Sequence, residues 1–306
     1  MSIKDILQQR FSNRLQCEVP LAPFTTLKIG GPAEFLLEAA SSQDLIDAYR
    51  LAQKHNIRLI LLAGCSNIFI HDDGLRGLVV INKAQSIEWH NDYTVWVESG
   101  HNLDQFVTEV SERGWADLTF AAGIPGSIGG AIVGGAGAFG HLVHEYLIDA
   151  NLLTTDGEEK IVQPEALGIE YRTSKARERG DILLSARLGP FNPALQEELM
   201  EEVRRIKAMR DEKHPSTTYP SAGSFFKNLP PEQPGGRRRA AGKYLDEAGA
   251  KSLRVGDAGV FENHANIIVN YGQATAEQVN QLASQMAERV KQKFGIELER
   301  EVRFLQ

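Results

Sequence analysis

Apolar positions along the chain fall into two periods, so helices and strands are mixed. Leu45, Ala48, Tyr49 and Ala52 share one helical face behind Ser42, and Leu103, Phe106, Val107 and Val110 share another. Leu195, Leu199, Val203 and Ile206 repeat at the same spacing. The strongest helix signal is Thr275 with Gln278, a capping box ahead of Val279, Leu282, Met286 and Val290. Short apolar or β-branched runs at Arg58–Gly64, Leu78–Asn82, Tyr93–Gly100, Asp181–Leu188 and Ala265–Asn270 predict strands. No period of 20–50 residues recurs, which excludes a repeat array. Pro, Ser and Thr crowd Lys213–Ser224, predicting a linker or domain entrance, and Leu229–Gly236 predicts a loop in the domain that follows.

Composition sharpens this only in part. The 306 residues are 42% hydrophobic and 24% charged, with a net charge of −7, an ordinary globular balance that argues against a nucleic-acid surface. Cys17 and Cys65 are too few for a disulfide framework or a thiolate metal site, and the eight histidines are scattered, so no metal is expected. The first residues show no apolar core with a cleavage site and no run is long enough to span a bilayer, so a cytoplasmic protein is expected. Arg237–Arg239 is a solvated loop or a phosphate contact.

The chemistry lies in glycine. Eight of the 28 glycines fall between Gly123 and Gly140. Glycine inside an element costs about 0.5–1 kcal/mol, so such density calls for close backbone approach to an anion or a planar ring, or close packing between elements. The spacing GxxGxxGG is not the dinucleotide fingerprint. Gly236–Lys243 is not a phosphate loop either, having five residues between its glycines and Tyr244 where a hydroxyl belongs.

Eight segments in order carry something more specific: Thr25–Ala33, Leu62–Asn67, Ala122–Ile132, Tyr171–Ser174, Pro220–Asn228, Ala241–Lys251, Asn263–Asn270 and Leu298–Phe304. Together they resemble the UDP-N-acetylenolpyruvoylglucosamine reductase family along nearly the whole chain. The 52 positions (224 − 172) from Arg172 to Ser224 resemble its shorter subtype, without the inserted substrate-capping loop. The resemblance implies an α+β chain: an FAD-binding fold of the vanillyl-alcohol-oxidase type in two subdomains (1–82 and 83–212), then a C-terminal α+β substrate-binding domain (213–306) whose last strand returns to the active site. It implies reduction of UDP-N-acetylglucosamine enolpyruvate to UDP-N-acetylmuramate by NADPH through non-covalent FAD, in peptidoglycan precursor synthesis, by a monomer.

The same resemblance distributes the roles. Ser224 is implied as proton donor, with Arg172 and Glu301 at the substrate carboxylate where charge develops. Gly64, Cys65, Ser66, Asn67, Gly123, Ser127, Gly130, Gly137 and Gly140 are implied at the flavin, and Tyr171, Lys213 and Asn228 at the substrate. Read without it, Ser224 is a turn former, Arg172 a surface ion-pair partner and Glu301 a strand carboxylate beside Arg300 or Arg303. Two departures from the family fall on the cofactor side: Cys65 stands where glycine is usual, and Gly134–Gly140 replaces Met-Asn-Ala-Gly-Ala-Tyr-Gly. The alternatives are another FAD oxidoreductase of this fold, or a relic that binds flavin or a UDP-sugar without catalysis.

Overall fold

A computed structural model describes residues 2–215, 219–233 and 235–306. Residues 216–218 of the expected linker and Pro234 of the expected loop lie outside the described residues. The chain forms two compact units whose segments interleave in sequence. The first takes Met1–Val19, Glu34–Gly64 and Arg76–Ala208; the second takes Pro20–Ala33, Cys65–Leu75 and Met209–Gln306.

The first unit is built on two sheets. One has the strand order Leu15–Pro20, Pro32–Ala39, Leu75–Asn82, Leu59–Leu62, and its last two strands run parallel with Leu59 opposite Leu78. Helix Ser42–Lys54 covers it, burying Leu45, Ile46, Ala48 and Ala52 with Leu37, Leu78 and Val80. Its cap is Ser41, whose hydroxyl accepts the Asp44 N–H; Ser42 opens the helix and donates its own hydroxyl to Glu98 at 2.7 Å. The other sheet has five strands, all antiparallel neighbours, in the order Glu159–Val162, Leu147–Leu153, Ile182–Leu188, Val95–Glu98, Ile87–Trp89. Helix Leu103–Glu112 packs on it through all four expected residues, each fully buried.

One expectation needs correction. Leu195 precedes its helix, which runs Gln196–Lys213, and stays 66% exposed; only Val203 and Ile206 are buried there. The acidic start of that helix, Gln196-Glu197-Glu198, carries no apolar residue to extend the stripe.

In the second unit a four-stranded antiparallel sheet orders Ser221–Ser224, His264–Asn270, Ala258–Phe261, Arg254–Val255. Helix Ala276–Phe294 lies in the same core with Val279, Leu282, Met286 and Val290 at 0% exposure, begun by the Thr275–Gln278 capping box and stopped by Gly295 at φ +67°. Asp72 adds to the cap by accepting the Ala276 and Glu277 N–H groups. The C-terminal strand Arg303–Leu305 runs parallel to Ile68–Ile70, with Phe304 stacked on Phe69 at 4.7 Å.

Candidate active site

Close packing explains much of the glycine run. A Cβ at Gly129 would lie 2.7 Å from Ser99 Cβ, one at Gly134 2.7 Å from Gly130 O, and one at Gly137 2.1 Å from His141 O. Gly135, at φ +57°, would press the Glu170 carbonyl at 2.9 Å and lie 3.5 Å from the Arg172 nitrogen. The run therefore abuts the turn that carries Arg172.

A second group of glycines presents open backbone. Gly64 is exposed, and a Cβ there would sit 2.7 Å from Gly126 Cα and 3.3 Å from Ser127 N, so the two glycine-bearing turns touch backbone to backbone. Gly130 is exposed, its nearest atom to a Cβ being Ser127 Oγ at 3.3 Å, and Gly140 at φ +91° has nothing within 4 Å. Buried Ser127 caps the helix Ile128–Val133 by accepting the Gly130 N–H at 3.2 Å. Gly123, at φ +73°, donates its N–H to Asp104 at 2.6 Å, and Lys207 offsets that carboxylate at 2.8 Å. Apposed turns whose glycines leave room for close approach fit the diphosphate and ribityl chain of FAD.

Gly64→Ala tests the fit. The added methyl forces Gly126 away, an overpacking of about 1–3 kcal/mol that lowers FAD affinity about 10- to 100-fold. Titrating apoprotein with FAD by fluorescence quenching reads this directly; unchanged affinity contradicts the contact.

The cofactor-side departures have a structural outcome. Cys65 holds φ +47° with its side chain inside, 7% exposed, so the missing glycine costs about 1–2 kcal/mol of backbone strain. Its carbonyl accepts the Thr26 N–H at 3.3 Å. Phe139 and Gly140, at φ +54° and +91°, form the two-residue turn of a hairpin pairing Gly137–Ala138 with His141–Leu142. Phe139 is 60% exposed there. Ser66 is half-buried.

Arg172 occupies another strained position. Glu170 pairs with Thr173, leaving Tyr171 and Arg172 as a two-residue turn with Arg172 at φ +62°. The half-buried guanidinium lies 5.7 Å from the Tyr171 ring centre, and that ring is 37% exposed. The positive φ is what a two-residue hairpin turn requires, and a non-glycine residue is strained in occupying it.

In the second unit Ser224 ends its strand just past a bulge. Ser221 pairs with Val269 and Ser224 with Ile267, so the Ser224 strand holds one extra residue, at Gly223 with φ +73°. Space beside Gly223 is open, so glycine is needed there for its dihedral alone. Bulges re-aim the side chain that follows them. The next residue, Phe225, accepts the Glu301 N–H at 2.8 Å, which brings Ser224 and Glu301 into one backbone network. Asn67 joins them: its amide donates to Glu301 O at 3.3 Å and its carbonyl accepts the Arg303 N–H at 3.1 Å. Glu301 is half-buried, and neighbouring Arg300 donates instead to Asn280 at 2.6 Å and to Ser284. Burial holds the Arg300 guanidinium below its usual range.

Lys213 is exposed at the end of its helix. Asn228 is exposed and turns inward: its side-chain oxygen accepts the Ala241 N–H at 3.2 Å, and its carbonyl accepts Arg238 at 2.7 Å. Arg238 thus braces this turn, while Arg239 donates to Pro230 O and reaches Glu232. Sequence reasoning overlooked Thr25, Asp104 and Asn266. Thr25 and Asn266 are buried polar residues inside quoted family segments, and that pattern was the available signal. No group of three or more His, Cys, Asp or Glu among the described residues could hold a metal, and no described helix is long and apolar enough to cross a membrane.

Residues 33–162 match an FAD binding domain model, which makes the chain a flavoprotein and fits its glycine-lined turns. Residues 214–305 match the C-terminal domain of UDP-N-acetylenolpyruvoylglucosamine reductase. The chain is 36% identical over 294 residues to the reductase of that name from Gloeobacter violaceus, covering 96% of this chain and 97% of the other. It is 38% identical over 300 residues to that of Rubrobacter xylanophilus, covering 96% of each. The Thermus caldophilus reductase structure superposes with a TM-score of 0.78 at 30% identity, covering 95% of this chain and all of that one. The chain belongs to the UDP-N-acetylenolpyruvoylglucosamine reductase family.

Proposed function

We propose that the chain reduces UDP-N-acetylglucosamine enolpyruvate to UDP-N-acetylmuramate with NADPH, through non-covalently bound FAD. The observation that carries this reading is the 36–38% identity, along 96% of the chain, to reductases of that name. FAD, when bound, accepts and delivers hydride. Gly64, Ser66, Gly123, Ser127 and Gly130 line its diphosphate, Gly123 and Gly130 by leaving room beside it because their N–H groups are already donated to Asp104 and Ser127, and Gly137 and Gly140 run beside its ribityl or ring portion. Cys65 and Asn67 fix the phosphate turn. In this reading residues 1–82 and 83–212 serve the flavin and 213–306 the substrate, in a cytoplasmic monomer.

Each catalytic side chain then has one task. Hydride addition to an alkene that bears a carboxylate builds enolate-like charge on that carboxylate. Arg172 stabilises it with a permanent cation, and a planar fork suits a carboxylate better than a point charge does. Glu301 sits at the same carboxylate and works protonated or sharing a proton. Ser224 gives a proton to the other alkene carbon; a hydroxyl is a weak acid, so it acts only when held in place, as the bulge and the Phe225 network hold it. Tyr171, Lys213 and Asn228 contact the nucleotide sugar. The support for these roles is that Ser224, Glu301 and Asn67 share one network, and that Arg172 is held in a strained turn against the glycine run.

Product analysis tests the reading. Purified enzyme supplied with FAD, NADPH and the enolpyruvate converts it to a product two mass units heavier, one NADPH consumed per product. A flavoprotein that oxidises NADPH without altering the enolpyruvate contradicts it.

A further inference from the structure

After Ser224 the chain changes partners. Phe225 still donates its N–H to Asn266 O at 2.7 Å on the His264–Asn270 strand. On its other side it accepts from Glu301, and Lys227 N donates to Glu299 O at 2.8 Å, so Phe226 bridges antiparallel to Arg300. In that geometry the N–H and C=O of Phe226 point away from the C-terminal segment. Phe226 is 1% exposed. One side chain satisfies both groups: Asn266 Oδ1 accepts the Phe226 N–H at 2.9 Å and Asn266 Nδ2 donates to Phe226 O at 2.8 Å. Asn266 is 2% exposed, and its own N–H donates to His264 Nδ1 at 3.2 Å.

We propose that Asn266 is a positioning residue for the reduction: its amide replaces the missing strand partner of Phe226 and so sets where Ser224 and Glu301 stand on either side of Phe225. Resting on the assignment of Ser224 as proton donor, it deepens that assignment rather than replacing it. A planar group that both donates and accepts is needed, and among side chains that carry no proton-dependent charge only a primary amide supplies it. Both a donor and an acceptor are required in one plane, a carboxylate lacks the donor, and a hydroxyl cannot reach both groups. An unsatisfied Phe226 N–H or C=O in this dry site lets the adjoining peptide planes rotate, and one of those planes carries the Phe225 carbonyl that holds Glu301.

Asn266→Asp gives a sharp test because it is isosteric. Protonated, the aspartic acid still donates to Phe226 O; ionised, it sets an anion against that carbonyl. Burial raises the pKa of the introduced carboxyl and so moves its ionisation toward neutral pH. On the Asn266 side stand His264, held below its usual pKa first by burial, with Lys251 and Asp246 acting on it, and His214 stacked on it at 5.6 Å and likewise lowered by burial. On the Phe226 side stand Arg300, Glu301 and the Lys227–Glu299 ion pair. Burial favours the neutral form of both imidazoles.

Holoenzyme is bleached anaerobically with NADPH and then mixed with the enolpyruvate, so that bleaching and return are timed separately. The ratio of Asn266→Asp to parent return rates is expected to fall about ten-fold between pH 6.5 and 9 while bleaching stays within about two-fold, and Asn266→Ala is slow in return at both. A ratio flat with pH, or bleaching slowed as much as return, overturns the proposal. Ser224→Ala run alongside separates the two claims. If its return is as fast as the parent's, the proton-donor assignment fails. If it is slow while Asn266→Asp at pH 9 is not, the inference about Asn266 alone fails.

Discussion

Ser224→Ala is expected to slow the substrate-dependent return of oxidised flavin absorbance by about 10²–10⁴-fold while leaving bleaching by NADPH unchanged. The substitution removes only Oγ. Ser224 pairs by its backbone with Ile267, and the bulge is set by Gly223, so neither depends on the hydroxyl. Both the core beneath and the Phe225 link to Glu301 persist. Stopped-flow absorbance in the two half-reactions reads the effect, and circular dichroism melting confirms an unchanged fold. Equal slowing of both half-reactions assigns Ser224 a structural role and refutes the donor role. Ser224→Cys, which restores a proton on a larger and softer atom, is expected to recover part of the rate.

Arg172→Gly separates chemistry from stability. Arg172 stands at φ +62°, where glycine is unstrained and an arginine costs about 1–2 kcal/mol. Relief of strain is partly offset by the greater freedom of glycine in the unfolded chain, so the melting temperature is expected to stay level or rise slightly. Loss of the guanidinium is expected to lower kcat/KM for the enolpyruvate about 10²–10³-fold, the usual scale for removing a group that stabilises developing charge. Arg172→Lys recovers little, because an ammonium lacks the planar fork. A melting temperature several degrees lower shows instead that the side chain serves the fold.

The sequence was most legible where one local rule acted alone. Thr275, Gln278 and the stripe from Val279 to Val290 form the helix they predicted, because capping and periodicity agree along its whole length. The strand runs were found as well, since β-branched residues with no competing helical period leave one solution. Leu195 misled because a lone apolar residue in phase with a helix can also lie exposed just ahead of it. The glycine run was legible as unusual but not as divided in purpose. Which glycines pack and which stay open depends on Ser99, Glu170 and His141, residues that no local pattern links to the run. Ser224 and Glu301 at the substrate and Asn67 at the flavin were named separately by family resemblance, whereas the network that joins them, and its wiring through Phe225 and Asn266, comes from strand register, which the sequence leaves unspecified.

The most direct test of the reductase assignment is an anaerobic titration of the FAD-loaded protein in two steps. One equivalent of NADPH should bleach the flavin, and adding UDP-N-acetylglucosamine enolpyruvate should return the oxidised spectrum rapidly and in proportion to the substrate added. Flavin that bleaches but stays reduced contradicts the substrate, and protein that neither binds nor bleaches FAD contradicts the enzyme.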